Sequence, residues 1–265
     1  MNIQLIIFLC FTPNIILVVF AKNVKIIGGV DADIKEIPYI ASLRQFKKEE
    51  HFCSGAIISH YHILTAAHCI DSLDKSEVRI YVGSANSSNY TGPYYNIQDI
   101  KMHPKYNKAN IKKLKTRYDI AVLTVYPRIP FNQFQNKINL PNQDIETGEL
   151  GLISGWGWKT YPIGWISDTL QKLSMWIISN EQCANYFTNL IREEHICVYR
   201  NRETGTCFGD SGGPLINNNT LIGISSINSP CASGDPDVYV RVYTFLEFIN
   251  SIINCHCVPF DCNCL

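Results

Sequence analysis

Apolar residues along this chain fall in short runs that alternate with polar positions or are rich in β-branched side chains. Examples are "YIASLRQF", "GAIISHYHILTAA", "EVRIYVG", "DIAVLTV", "LGLISGW", "LSMWIIS", "HICVYR", "PLINNNTLIGISSI" and "VYVRV". Turn residues punctuate them at strand-length intervals, which predicts an all-β sandwich or pair of barrels instead of alternating βαβ units. Asn217, Asn218 and Asn219 stand between two of the runs, and asparagine tolerates the positive φ that a tight hairpin demands. Two stretches match a capping box, "SNEQ" at Ser179–Gln182 and "TFLE" at Thr244–Glu247. The second opens "TFLEFINSIIN", where Leu246, Ile249 and Ile253 share one face and Phe245, Phe248 and Ile252 the adjoining one. That pattern predicts a C-terminal helix over 244–254, docked on the body. The connection at 128–148 lacks strand character, so a first unit of about 26–135 and a second of about 145–242 are expected.

One run differs from the others. Ile3 to Ala21 is almost wholly apolar, and Val19 and Ala21 fit the small-residue rule before a cleavage site. Residues 1–21 therefore read as a secretory signal peptide. The run is also near the length of a membrane-spanning helix, and "MNIQ" lacks the usual Lys or Arg. Cysteine usage favours secretion: eleven are present, and removing Cys10 with the signal leaves ten, an even number suited to bridging. Three sequons, at Asn86, Asn89 and Asn218, are candidate glycan sites on such a protein. The 265 residues, 46% hydrophobic and 17% charged, have globular composition, and the formal net charge is zero. Losing Lys22 and Lys25 with the first 25 residues leaves a net charge of −2. Neither balance suits nucleic acid, whose phosphates need a basic excess.

The candidate chemistry gathers at "GTCFGDSGGPL", Gly205–Leu215. A serine hydroxyl is a weak nucleophile at neutral pH and needs a base, which in turn needs an orienting acid. Of seven histidines, only His68, in "LTAAHC", ends an apolar strand beside a cysteine that can fix its backbone. Asp119, in "RYDIAVLTV", is a carboxylate at the mouth of a core-like strand. His51, His60, His62, His103, His195 and His256 read as surface or core side chains, with no spacing suited to zinc catalysis.

"TAAHC", "DIAVL" and "GDSGGP", in that order, resemble the chymotrypsin/trypsin family of serine endopeptidases, as do "IIGG" at 26–29, "GWG" at 155–157 and "PDVYVRV" at 236–242. The resemblance covers about residues 26–254. It implies two packed six-stranded antiparallel β-barrels with a C-terminal α-helix, and hydrolysis of peptide bonds through an acyl-enzyme. His68 would be general base and acid, Asp119 its orienter and Ser211 the nucleophile. The N–H groups of Gly209 and Ser211 would form an oxyanion hole, worth roughly 3–4 kcal/mol per donor. Residues 22–25 would be a short pro-segment, cut after Lys25 so that the new α-amino group of Ile26 pairs with Asp210. Implied disulfides are Cys53–Cys69, Cys183–Cys197 and Cys207–Cys231. A homologue without catalysis, acting as a binding module, is the rival reading, although the triad residues and Gly209 are all present.

Specificity reads less directly. Trypsin-like members carry Asp six positions before the nucleophile, whereas this chain has Gly205. Asp237 stands where the family usually has Gly, on a wall of the same pocket. A Gly floor with an Asp wall resembles the broad-specificity collagenolytic serine proteases of crustaceans. Ser226 and Asn228 are expected to contact substrate along with Gly205 and Asp237, and Ile227 and Asn228 replace the family's usual Trp and pocket-mouth Gly. Mixed cleavage after Lys or Arg and after large apolar residues is expected, with a purely apolar preference as the alternative. The expected partners are protein or peptide substrates, an activating protease or the enzyme itself, and protease inhibitors. A monomer is expected, with no membrane association after signal removal. No cofactor is implied, and no metal, because "VGSANSSNYTGPYY" shows no calcium-loop acidic cluster. The loop "KMHPKYNKANIKKLKTRYD" holds seven Lys or Arg and reads as a solvated face, or else as an exosite for acidic substrate stretches. The tail 255–265 departs from the family. Cys255, Cys257, Cys262 and Cys264 are expected to form two local disulfides, with metal binding or intermolecular pairing as alternatives.

Overall fold

A computed structural model describes residues 26–88, 92–107, 117–187, 189–227, 231–258 and 261–264, the last two spans from residue 255 onward as backbone only. Six strands close one antiparallel barrel: β2 (Ile40–Gln45), β3 (Glu50–Ile57), β4 (His62–Thr65), β5 (Val78–Val82), β6 (Tyr94–Met102) and β7 (Ala121–Tyr126). Their order around it is β2-β3-β4-β7-β6-β5. Six more, β8 (Leu150–Gly155), β9 (Gln171–Ile178), β10 (His195–Tyr199), β11 (Pro214–Asn217), β12 (Thr220–Ile227) and β13 (Asp237–Arg241), close the second, with β8 paired to both β9 and β11. The short β1 (Val30–Asp31) adds to the outer edge of β9 and ties the chain's first described segment to the second barrel.

Side-chain alternation explains the strands. In β9, Gln171, Leu173, Met175 and Ile177 are buried while the residues between them face outward, the period-two pattern of a one-sided strand. β4 is buried throughout, because its outer face is covered as well. One apolar cluster runs from the first barrel across the junction to Ile216, Leu221, Ile224 and Val240 of the second, which joins the barrels through shared packing. A separate cluster fills the second barrel and includes Ile26, which is fully buried.

Local chemistry sets the turns and helices. Asn218 and Asn219 both take positive φ, 44° and 59°, as the two-residue loop between β11 and β12. Helix α1 (Asn180–Ala184) starts at Ser179, whose hydroxyl accepts from Gln182 N while the Gln182 side chain accepts from Ser179 N. The second capping box does not form. Val242–Phe245 make a 3-10 turn directly off β13, so α2 (Leu246–Ile253) begins after it with Phe245 as its uncapped N-terminal residue. The predicted docking face holds nonetheless, with Ile249 fully buried and Phe248, Ile252 and Ile253 packed around it. In the tail, β14 (Cys255–Val258) pairs antiparallel with β15 (Asp261–Cys264). The side chains of its cysteines lie outside the described residues, as do Lys25, Asn89, Asn228 and residues 108–116 of the basic loop.

The structure closes Cys53–Cys69, Cys183–Cys197 and Cys207–Cys231, across sequence separations of 16, 14 and 24. Loops of this size contribute about 3 kcal/mol each in the chain-entropy account. Replacing Ile249 by Ala should lower unfolding stability by about 2–4 kcal/mol, since α2 would lose its central buried side chain. Urea titration tests this, and a loss below about 1 kcal/mol would mean that the helix contributes little to the body.

Candidate active site

His68 lies on a 3-10 turn, Ala67–Cys69, that follows β4, and the Cys53–Cys69 bridge fixes that turn to β3. Asp119 precedes β7, β4's neighbour in the barrel, so the two side chains meet across adjacent strand ends. Asp119 is fully buried. Its Oδ1 accepts from His68 N at 2.8 Å, and its Oδ2 accepts from His68 Nδ1 at 2.7 Å and from Ser226 Oγ at 2.6 Å. A carboxylate only accepts, so Nδ1 carries the proton and Nε2 is left as the free base. Burial opposes a charged imidazolium at His68, yet the Asp119 carboxylate beside it prevails and holds the ring's pKa above the usual value. Burial likewise acts to raise Asp119, and the His68 and Ser226 contacts override it and hold the carboxyl below its usual range.

The Ser211 loop comes from the second barrel and is pinned on both sides. Ser54 N, on β3, donates to Ser211 O at 2.8 Å, while Gly212 N donates to Ser225 O at 2.8 Å on β12. No hydrogen bond joins Ser211 to His68 Nε2, whose contact is with Cys69 Sγ at 3.8 Å. Nucleophile–base contacts of this kind often tighten only when substrate binds.

Gly209 has φ +100°, and a Cβ there would lie 2.6 Å from Ile166 Cδ1, so both conformation and space demand glycine. Phe208 O accepts from Trp158 N at 2.9 Å. In a trans peptide the Gly209 N–H points away from that carbonyl, opposite the Trp158 side. Among the described residues, neither Gly209 N–H nor Ser211 N–H has an acceptor. Buried amides are rarely left so, and two unpaired donors beside a serine are what a developing oxyanion requires.

Asp210 is buried, and its carboxylate accepts from Gly157 N at 2.8 Å and Cys207 N at 2.9 Å. Burial raises its pKa to about 6 despite those bonds. A Cβ on Gly157 would come within 2.1 Å of its Oδ2, which explains the second glycine of "GWG". Gly205 N donates to Ile27 O at 3.1 Å, holding the first described segment against the same loop.

The pocket residues meet as well. The Asp237 carboxylate accepts from Thr206 N at 2.7 Å and lies 3.0 Å from where a Gly205 Cβ would be. Although it starts on a wall, its side chain therefore reaches the floor. Burial pushes its pKa up to about 7. Ser226, expected to face substrate, also donates to Asp119. Asn86 and Asn218 are exposed, and the Ser88 hydroxyl of the first sequon donates to Asn86 Oδ1 at 2.8 Å. Cys53, His68 and Cys69 cluster closely enough to resemble a ligand set, but both sulfurs are in the disulfide and cannot ligate as thiolates. Sequence reasoning missed His51, whose Nε2 contacts Gly209 O at 2.9 Å. Its one signal was its place two residues before Cys53 on the strand that carries the bridge.

Two closed barrels, with an acid–base pair from one and a serine loop bearing two free amides from the other, define the architecture of a chymotrypsin-like serine endopeptidase. The Trypsin family profile matches residues 26–249. The chain is 36% identical over 225 residues to chymotrypsin-2 of Vespa crabro, covering 84% of this chain and 98% of that protein. It is 35% identical to hypodermin-A of Hypoderma lineatum, over 82% of this chain and 83% of that one. Brachyurin of Leptuca pugilator is 32% identical, over 85% and 97%. The solved structure of neuropsin, a serine protease expressed in the limbic system of mouse brain, superposes with a TM-score of 0.78 at 27% identity, covering 85% and 98%. The chain belongs to the trypsin family, and it is a serine endopeptidase.

If His68 is the base, kcat/KM for an uncharged substrate should rise with pH as the ring loses its proton, because only the neutral ring accepts from Ser211. The midpoint should lie above the usual imidazole value of 6.5, as Asp119 favours the charged ring. A midpoint at or below 6.5 would mean that burial outweighs the carboxylate.

Proposed function

We propose that the protein is a secreted endopeptidase, made as a zymogen, in which Ser211 attacks the scissile carbonyl. His68 Nε2 takes the serine proton and returns it to the leaving amine, while Asp119 holds Nδ1–H and stabilises the imidazolium. Gly209 and Ser211 N–H receive the oxyanion. The observations that carry this reading are the two amides beside Ser211 that lack acceptors among the described residues and a histidine whose tautomer is fixed by a buried acid. Water then attacks the acyl carbonyl and gives its proton to His68 Nε2, which passes it to Ser211 Oγ as the ester bond breaks and the acid product leaves.

Activation follows from Asp210. A buried carboxylate with no cationic partner costs several kcal/mol, and among the described residues none pairs with it. Cleavage after Lys25, by another protease or by the enzyme itself, would supply the α-amino group of Ile26, whose side chain already lies in the second barrel's core. The mature enzyme would act as a monomer on protein substrates, be held in check by protease inhibitors, and carry glycans on its sequons. A fluorophosphonate should label Ser211 after cleavage. Lys25→Gln should give a folded protein with activity at least a hundredfold lower, about 2.7 kcal/mol of transition-state stabilisation. Full activity in that variant would overturn the zymogen reading, and no labelling of correctly cleaved protein would make the chain a binding module.

For specificity, we propose a mixed pocket in which Asp237 meets substrate Lys or Arg and the remaining wall takes Phe, Tyr or Leu. A purely apolar pocket is favoured by one observation: the Asp237 carboxyl holds its proton up to about pH 7. The ratio of Lys to Phe turnover separates these readings, since His68 titration cancels in it. The ratio should climb as pH rises through about 7, where the carboxyl becomes charged, and Asp237→Asn should leave it low and flat. Asn keeps an acceptor for Thr206 N, which Gly would not. No Lys or Arg turnover at pH 9 would establish the apolar pocket.

A further inference from the structure

The peptide that follows Gly209 is held from the first barrel by a buried polar chain. His51 Nε2 lies 2.9 Å from Gly209 O, and a carbonyl can only accept, so Nε2 bears the proton. Burial, with the Arg44 charge adding to it, lowers the His51 pKa to about 4, so the ring is neutral and its Nδ1 is an acceptor. Ser42 Oγ, 2.8 Å from Nδ1, must therefore donate its one proton there. That leaves the Ser42 oxygen to accept, which it does from Arg44 Nε at 3.1 Å. Each bond fixes the direction of the next, from guanidinium to serine to imidazole to the Gly209 carbonyl.

The backbone makes this arrangement local. Arg44 on β2 is the register partner of His51 on β3, next to a bulge between Leu43 and Arg44 that re-aims the side chains. Arg44 is 1% exposed, lies 4.1 Å over the Tyr81 ring and gives Nη2 to Asn86 O at 3.2 Å, so its position is set from several sides. His51 in turn packs edge-on against Trp156, with ring centroids 5.3 Å apart. Gly209 has no side chain of its own by which to be positioned. What orients it are the bonds to the carbonyls on either side: Trp158 N donates to Phe208 O, and Gly209 O accepts from His51 Nε2 at 2.9 Å and, at the longer 3.4 Å, from Ser54 Oγ.

We propose that Arg44 is a positioning residue for the oxyanion hole, acting through Ser42 and His51 on the Gly209 peptide. A chain of bonds pointing one way from a buried cation is polarised along its length, which strengthens the last bond beyond that of an isolated neutral imidazole. Burial keeps His51 from charging, and the cation adds to that effect, which preserves the chain's polarity. The inference rests on the proposed role of Gly209 N–H. It extends the proposed catalytic machinery to β2 of the first barrel.

The test uses cleaved, activated enzyme whose wild type labels at Ser211, which verifies the underlying reading separately. Ser42→Ala removes the middle link, Arg44→Met the charge, and the double variant both. The expected result is a fall of roughly tenfold or more in kcat, the scale of a weakened oxyanion donor, with KM unchanged and the same factor for Phe and Leu substrates. Affinity for a peptide aldehyde should fall in parallel, since its addition oxygen occupies the hole, while affinity for indole in the specificity pocket should hold. The double variant should be little worse than either single one, because both cut one chain. If Arg44→Met does not fold, Ser42→Ala decides alone. Unchanged kcat and aldehyde affinity in folded Ser42→Ala would overturn the proposal, and so would equal losses in kcat, KM and indole binding.

Discussion

The structure depends on one buried carboxylate. Asp210 sits next to the nucleophile with its two oxygens bound by the amides of Gly157 and Cys207, and two glycines leave the space it fills. Every feature of the serine loop follows from that anchor. Asp210 N donates to Cys207 O and Gly213 N to Asp210 O, so the loop is wound around its own aspartate before it touches anything else. Because the carboxylate points away from solvent, the next residue, Ser211, is left at the junction between the barrels. The arrangement costs desolvation, which shows in the carboxyl's raised pKa. A conformation that needs a cation to be cheap can be withheld until one is supplied, and this is the physical basis of the proposed activation.

The barrels divide the chemistry in a way that the junction makes necessary. His68 and Asp119, the proposed base and its acid, come from neighbouring strand ends of one barrel, where the ladder and a disulfide fix their separation. Ser211, the proposed nucleophile, comes from the other, so its distance to His68 is set by packing between barrels. β3 bridges this gap three times: Ser54 N holds the Ser211 carbonyl, and His51 Nε2 and Ser54 Oγ both hold the Gly209 carbonyl. Ser226 closes the contact from the opposite side by donating to Asp119 across the same junction. Four hydrogen bonds thus cross between barrels around the serine loop and the His68–Asp119 pair.

The fold class was legible because strands of this kind bury one face, and "QKLSMWII" shows that alternation without any partner in view. Asn218–Asn219 was legible because a two-residue hairpin asks for positive φ, a local demand that a local residue type answers. The pairing of His68 with Asp119, 51 residues apart, was legible because motif order survives in sequence even where contacts are long-range. Thr244 misled for the opposite reason: a capping box describes a helix start but not what precedes it, and a 3-10 turn continuing from β13 occupied those residues. The roles of His51 and Arg44 were hardly legible: the partner of His51 is a backbone carbonyl 158 residues away, which has no residue type to recognise, and Arg44 connects to it only through Ser42 and His51. Asp237 lies between these cases, since its substitution was visible but its reach to the floor beside Gly205 depends on a rotamer.

The two buried carboxylates are also linked to each other. Asp237 takes the amide of Thr206 and Asp210 that of the very next residue, Cys207, so one stretch of backbone is hung from both. Burial is the main reason that Asp237 holds its proton to about pH 7, and the Asp210 charge adds to it. Both carboxyls titrate above their unfolded values, so the folded chain retains protons that the unfolded chain has released. Stability from these groups therefore falls as pH rises from about 4 towards 7, unless cations arrive. An α-amino group at Asp210 would remove one like charge from Asp237's surroundings and ease its ionisation. On the proposed reading, cleavage after Lys25 thereby does more than order the oxyanion loop: it favours the charged pocket that accepts Lys or Arg. A substrate cation in the pocket would reciprocally ease ionisation of Asp210, since coupling between two sites is the same in either direction. The proposed activation and the proposed specificity thus share one electrostatic field, because the adjacent amides of Thr206 and Cys207 hold the two carboxylates.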